Sequence, residues 1–216
     1  MSLAILSRLA VVKEVDNISK PFEFVEGSGA RRFGEKCCLC NVSSSTVVFL
    51  DADVIVRKDL THLLEGDFDF SARKHFPTRK STIGCIDEGK WSEIFRSMSK
   101  EPIPMPNAGL MIFKNFCHHS IKEEWLRHVN DPYLPNACRS DYNPKEQTAI
   151  ALALSGKKIR WLTANEHAYS WLGEVNTDTY VIHKKPIMPK SLIMTEVVLW
   201  NFAGRSIRVL SRILFP

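Results

Sequence analysis

Residues 47–53 read Val-Val-Phe-Leu-Asp-Ala-Asp, an apolar run that ends abruptly in two carboxylates one residue apart. No other segment restricts the fold as much. Four consecutive apolar residues, three of them β-branched or aromatic, read as a strand buried on both faces, which is the habit of strands inside α/β sheets. The carboxylates must then emerge at the carboxyl end of that strand, where open α/β sheets bind ligands. In extended backbone, side chains at i and i+2 share a face. Continued through Ala52, the strand would aim Asp51 and Asp53 at one point. Mg²⁺ and Mn²⁺ take oxygen ligands and are commonly held by one or two carboxylates together with substrate phosphates. The segment therefore suggests a metal-bridged phosphate site, the plain alternative being a chain that returns to solvent after a buried strand.

The remaining pattern supports an α/β layer fold. Strands are expected at Phe22–Val25, Val47–Leu50, Phe68–Ala72, Gly109–Phe113, Ile159–Leu162 and Tyr180–His183. Helices are expected at Gly34–Val42, Leu60–Leu64, Trp91–Met98, His119–Val129, Lys145–Ser155 and much of Ser191–Leu214. Such alternation is the signature of a sheet flanked by helices. Prolines 102, 104 and 106 exclude a helix between Glu101 and Pro106 and give Asn107 a stiff approach. Thr78–Asp87 and Asn130–Asn143 read as polar loops.

Three further segments bear on chemistry. Pro106-Asn107-Ala108-Gly109 leads into the apolar Leu110–Phe113, Glu146-Gln147 opens an apolar helix, and His183-Lys184-Lys185-Pro186 follows Val181-Ile182. With the Asp-x-Asp strand, their order and spacing resemble a GT-A glycosyltransferase, in particular glycosyltransferase family 8, the group of glycogenin and bacterial galactosyltransferases. The resemblance spans roughly Arg31 to Pro186. It implies an open mixed sheet flanked by helices, and transfer of a sugar from a nucleoside-diphosphate sugar, UDP-sugar first among them, to a hydroxyl acceptor with retention at the anomeric carbon.

The resemblance also implies roles. Asp51, Asp53 and His183 match the ligands of a Mn²⁺ or Mg²⁺ ion, with Ala52 between the carboxylates. Lys36, in Arg32-Phe33-Gly34-Glu35-Lys36-Cys37, matches a lysine that faces the sugar nucleotide. Asn107, Ala108 and Gly109 match a turn that contacts the donor sugar. Glu146 and Gln147 match an Asp-Gln pair beside the transferred sugar, with Glu in place of Asp. Lys185 stands near the expected diphosphate loop, but that loop's glycine and tryptophan are missing here. Only fifty residues precede Asp51, so the amino-terminal nucleotide-binding part is expected to be incomplete. Two alternatives stay open: a non-catalytic nucleotide-sugar or partner-binding module, and a haloacid-dehalogenase-like phosphatase, which also uses apolar strand then Asp-x-Asp.

Composition sets outer limits. The chain has 216 residues, 44% hydrophobic and 25% charged, which suits a globular domain. A formal charge of +5 is compatible with an anionic small substrate and too slight to argue for nucleic acid. No stretch reaches the about 18 uncharged apolar residues of a membrane span, and a cytosolic chain is expected. Cys37, Cys38 and Cys40 cluster, and reduced buried thiols are expected there. Zinc held by Cys37 and Cys40 with Cys117, His118 or His119 is the alternative. The expected organisation is a GT-A-like domain over residues 1–190, followed by an amphipathic helix over 191–216. There Arg205, Arg208 and Arg212 oppose Ile207, Leu210 and Leu214. Such a helix docks on its own domain or, alternatively, makes peripheral membrane contact.

Overall fold

A computed structural model describes residues 34–51, 53–75, 88–131, 134 and 145–184. The expected strand at Phe22–Val25, the loop Thr78–Asp87, most of the loop Asn130–Asn143 and the carboxyl-terminal helix lie outside the described residues. The chain divides into two compact units. The smaller holds Phe49–Gly66 and the described part of Leu162–Pro216; the larger holds the described parts of Val15–Val48 and Asp67–Trp161.

The larger unit is organised by strand β4, Pro106–Phe113, in which all eight residues are buried. It is an interior strand of a four-stranded sheet ordered β1 (Val47–Leu50), β4, β3 (Phe70–Lys74), β5 (Ile159–Leu162). Interior position explains the burial of both faces. Strand β3 runs antiparallel to β4, with Phe70 opposite Phe113 and Ala72 opposite Met111, and an irregularity between Ala72 and Lys74 sets Lys74 against Pro106. Pro106 is tolerated because it sits at the first residue of its strand.

Helices cover this sheet with the spacing their sequences encode. In α1 (Glu88–Ser97), Trp91, Ile94 and Phe95 are buried. In α3 (Lys122–Asn130), Trp125, His128 and Val129 are buried. Both sets are i, i+3, i+4, one face of a helix. Helix α4 (Lys145–Ala153) is buried throughout its described side chains and packs on α3 and β4. The single helix expected over His119–Val129 is instead two, the short α2 (Cys117–Ser120) and α3. Asn115 and Phe116 both adopt left-handed backbone, φ 54 and 56°, just before α2. That reversal starts a new helical axis after β4. Gly34–Asn41 and Thr61–Leu64 are 3-10 rather than α-helical.

The smaller unit carries a mixed three-stranded sheet in the order β2 (Val54–Val56), β7 (Val181–His183), β6 (His167–Tyr169). β2 is antiparallel and β6 parallel to β7. Neither β2 nor β6 was expected from sequence, since each is only three residues long. Asn176 fastens the segment that leads to β7. Its backbone N–H donates to Thr179 Oγ1 at 2.9 Å, its side-chain amide to Asn165 Oδ1 at 3.0 Å, and its carbonyl accepts from the Arg57 guanidinium at 2.7 Å.

The core of the larger unit centres on Phe113, which meets Phe70 edge-on at 5.0 Å and Trp125 in a stack at 6.4 Å between ring centroids. All three side chains are fully buried. Truncating Phe113 removes contacts from both sides of the sheet–helix layer. Phe113→Ala is expected to cost about 3–5 kcal/mol in urea unfolding, whereas Glu123→Gln, on an exposed position of α3, should stay within about 0.5 kcal/mol.

Candidate functional site

Strand β1, expected to be buried, instead has Val48 exposed and its other three residues half-buried; it stops at Leu50, and the backbone then reverses. The Val54 N–H donates to the Asp51 carbonyl at 3.2 Å, which closes a turn over residues 51–54. The extended path through Ala52 expected from sequence is therefore corrected to a turn; Ala52 itself lies outside the described residues. The turn feeds directly into β2, whose Val54 pairs with His183 on β7. The Lys184 N–H donates to the Asp53 carbonyl at 2.9 Å, extending that pairing by one step.

This register sets Asp53 beside His183, with Oδ1 3.4 Å from Nε2. Asp51, Asp53 and His183 each offer a ligand atom within 4.8 Å of the others, and among the described residues they are the only such group of three or more. Two carboxylate oxygens and one imidazole nitrogen are a donor set that could hold a divalent cation. The donor set fits the ion that the family resemblance implies.

Rings hold the His183 imidazole. His167 lies parallel to it at 5.6 Å and 10°, Tyr169 tilts against it at 5.9 Å, and Trp171 meets it edge-on at 5.4 Å. His183 Nδ1 is buried with no hydrogen-bond partner among the described residues. Metal-ligating histidines usually have their second nitrogen tied by a hydrogen bond; packing does the orienting here. His167, Tyr169 and Trp171 were missed in the sequence. Their spacing places His167 and Tyr169 on one face of β6, while Trp171 joins them from the 3-10 turn Ser170–Leu172, which alternation does not reveal.

The larger unit gathers most of the other expected residues. Lys36 Nζ donates to the Ala108 carbonyl at 3.2 Å and lies 3.3 Å from Glu146 Oε1. Both side chains are largely withdrawn from water, at 16% and 7% exposure. One ammonium thus links the 3-10 segment, β4 and the first turn of α4. Asn107, Ala108 and Gly109, expected as a turn, are part of β4, a correction that follows from their pairing in the sheet interior. The polar character remains, since the Gly109 N–H donates to Asn107 Oδ1 at 2.9 Å within buried surroundings. Gln147 is buried beside Glu146, and its Oε1 has no hydrogen-bond partner among the described residues. Lys185 lies outside the described residues.

The zinc alternative fares differently. Cys37, Cys40 and Cys117 are buried free thiols. Burial pushes Cys40 up to about 12 and Cys117 up to about 11, and drives Cys37 upward as well. Among the described residues, moreover, Cys37, Cys40, Cys117, His118 and His119 form no group of three whose ligand atoms converge. His118 and His119 both turn Nε2 to the Val42 carbonyl, at 2.8 and 2.7 Å. Small buried side chains, not a zinc site, describe this cluster.

No protein-family model matches the sequence, and no curated protein does. Solved structures do. The galactosyltransferase LgtC, in complex with donor and acceptor sugar analogs, aligns with a TM-score of 0.51 at 16% identity, over 89% of this chain and 73% of its own. The fold is that of GT-A glycosyltransferases. The bifunctional glycosyltransferase WbbM aligns with a TM-score of 0.46 at 17% identity, over 88% of this chain. Glycosyltransferase GlyE of Streptococcus pneumoniae TIGR4 aligns at 0.46 and 14% identity, over 81% of this chain. The chain spans 33% of WbbM, 48% of GlyE and 73% of LgtC.

The Lys36–Glu146 pair makes a direct prediction for stability. Removing one partner of a buried ion pair strands the other charge, at about 3–5 kcal/mol. Lys36→Met is therefore expected to lower urea stability by about 3 kcal/mol, and Lys36→Met with Glu146→Gln by clearly less than the sum of the single changes. Additive losses across the four proteins would show that the two side chains are not coupled.

Proposed function

We propose that this chain acts as a metal-dependent glycosyltransferase of the family 8 type, moving a sugar from a UDP-sugar to a hydroxyl acceptor with retention. The observation that carries the reading is the convergence of Asp51, Asp53 and His183 from two separated parts of the chain onto one small volume. A GT-A fold supports it. A haloacid-dehalogenase-like phosphatase belongs to another fold, so that alternative loses its support.

In this reading Asp51, Asp53 and His183 hold Mn²⁺ or Mg²⁺, which when bound supplies positive charge to offset what develops on a diphosphate leaving group. Asp51 and Asp53 accept the ion through carboxylate oxygens. His183 would contribute its Nε2, the nitrogen that faces Asp53. The packed rings hold that imidazole in place before any ligand arrives, so little ordering accompanies binding.

Donor-sugar contacts fall to Asn107, Ala108, Gly109, Glu146 and Gln147. The support is local: the Lys36 ammonium ties β4 to α4 and fixes the Glu146 carboxylate. Gln147 then has an acceptor oxygen available for a hydroxyl donor. Lys36 contributes fixed positive charge while doing this, and Lys185 is assigned to the diphosphate. The acceptor is a hydroxyl compound, and no protein nucleophile is assigned. No described helix is long and apolar enough to cross a membrane. A cytosolic location, with the carboxyl-terminal helix over 191–216 docked or membrane-apposed, completes the proposal.

Calorimetry with MnCl₂ and UDP tests it. The two should bind cooperatively to the wild type, each tightening the other. Asp51→Asn with Asp53→Asn should weaken that coupled binding at least tenfold, which is about 1.4 kcal/mol. The urea midpoint should barely move, because partly exposed carboxylates at a turn contribute little packing. Undiminished binding of Mn²⁺ and UDP by the double variant would rule the metal role out.

A further inference from the structure

Fifteen of the 26 residues over 191–216 are apolar, among them Val197-Val198-Leu199-Trp200 and Phe202. So apolar a stretch needs a surface to cover. The described residues end shortly before it, at Lys184, and fix the point from which it departs. The Lys184 N–H donates to the Asp53 carbonyl at 2.9 Å. His183, one residue earlier, meets Trp171 edge-on, with ring centroids 5.4 Å apart. From Lys184 to residue 191 an extended chain reaches about 24 Å, so the surface around Trp171 is within range.

That surface is apolar and braced. Among the described residues of the smaller unit, the exposed large apolar side chains are Trp171 and Val175, at 37% and 38% exposure. They flank Gly173, whose left-handed φ of 70° ends the 3-10 turn Ser170–Leu172. Tyr169 stacks on the indole at 4.9 Å, and the Tyr169 N–H donates to Glu174 Oε2 at 2.9 Å, so the turn is held on both sides of Trp171. One exposed tryptophan or valine is ordinary. Two on a braced turn, beside the departure point of an apolar segment, offer that segment a place to bind. The larger unit also exposes apolar groups, notably Val42 and Phe116 at 43% and 45%.

Charge decides between the two surfaces. Residues 185–216 carry Lys185, Lys190, Arg205, Arg208 and Arg212 against Glu196, a net charge of +4. The described residues of the smaller unit hold seven Asp and Glu against three Lys and Arg, a net of −4. Those of the larger unit hold thirteen Lys and Arg against ten Asp and Glu, a net of +3. A basic segment is drawn to the first and repelled by the second. We propose that residues 191–216 dock on the smaller unit of their own chain, over Trp171 and Val175. Apolar side chains of the segment cover these two, and the arginines lie at the margin with their charged ends in water. Their attraction to the unit's carboxylates is screened over about 8 Å, so it acts at the contact rather than at a distance. Docking also covers the open part of a ring that packs on His183. The inference goes beyond the transferase reading and does not rest on it.

Hydrogen exchange on the full chain, read by mass spectrometry, tests the docking. Wild type is compared with Val175→Lys, with Arg205→Glu, Arg208→Glu and Arg212→Glu combined, and with Val42→Lys as the control on the larger unit. Peptides over 170–176 and 191–216 should exchange at least tenfold faster in the first two variants and as in the wild type in Val42→Lys. Peptides over 106–113, the buried strand β4, should stay within twofold in all four proteins, which reports an intact fold. Equal exchange over 170–176 in all four proteins overturns the proposal, as does release of 191–216 by Val42→Lys and not by Val175→Lys. Protection over 170–176 that grows with protein concentration assigns the surface to the segment of a second copy. Protection of 191–216 that appears only with vesicles of phosphatidylcholine and phosphatidylglycerol assigns the segment to lipid. Either result also overturns docking within the chain.

Discussion

The register of β2 against β7 is the constraint on which the candidate metal group depends. Val54 faces His183, and the Lys184 N–H reaches the Asp53 carbonyl. Side chains alternate across a strand, so a slip of β7 by one residue would send His183 to the opposite face, away from the carboxylates. Strands of three residues carry little pairing energy of their own. The register is secured from outside the ladder. Tyr180, just before β7, has its N–H on the Asn165 carbonyl and its own carbonyl on the Arg57 N–H, both at 2.8 Å. Tyr180 also packs its ring 3.9 Å from His62 and under the Lys58 ammonium. Fixing one end of so short a strand fixes all of it.

The larger unit solves a different problem, how to keep polar groups inside a hydrophobic interior. β4 is buried along its length, yet it contains Asn107, and α4 brings Glu146, Gln147 and Thr148 into buried positions. Burying a carboxylate without a partner is costly, and a buried pair rarely stabilises more than a well-packed apolar substitute would. Retaining the Lys36–Glu146 pair therefore makes little sense as a stability device. It makes sense as a means of holding a charged and an amide group at fixed positions, which is what the proposed donor contacts require. The Asn107 side chain, by accepting the Gly109 N–H, stays oriented without depending on a ligand.

Much of this was legible in the residues, and the failures have physical causes. β1 and β5 appear with the boundaries read from sequence, since each is a short apolar or aromatic run between turn residues. α4 was recognised at its start and overextended by two residues at its end. Asp51, Asp53 and His183 do come together, but not by the expected i, i+2 geometry, because the chain turns at Asp51. What brings the two aspartates together is the turn and the β2–β7 pairing. That pairing joins residues far apart in sequence, and no local pattern displays it. Lys36 as a bridge between β4 and α4 was equally hidden, for the same reason. His167 and Tyr169 alternate along β6, whereas Trp171 reaches His183 from a 3-10 turn that no alternation pattern displays. Three aromatic positions beyond the expected strand at Ile159–Leu162 read as ordinary core, and only the exposure of the last one separates it from the others.

The ring packing around His183 connects these observations. A ligand imidazole needs a fixed plane and one nitrogen directed at the ion, and a carboxylate partner on the other nitrogen is the common way to fix both. That arrangement also raises the basicity of the ligand nitrogen. Here His167, Tyr169 and Trp171 fix the plane by contact alone. On the proposed reading the two aspartates would supply the negative charge that attracts a cation, and the imidazole a nitrogen whose direction the rings already set. An ion held chiefly by two carboxylates binds better when a diphosphate adds its own oxygens. On the proposed function, such a site would fill together with its nucleotide, the imidazole being fixed in place before either arrives.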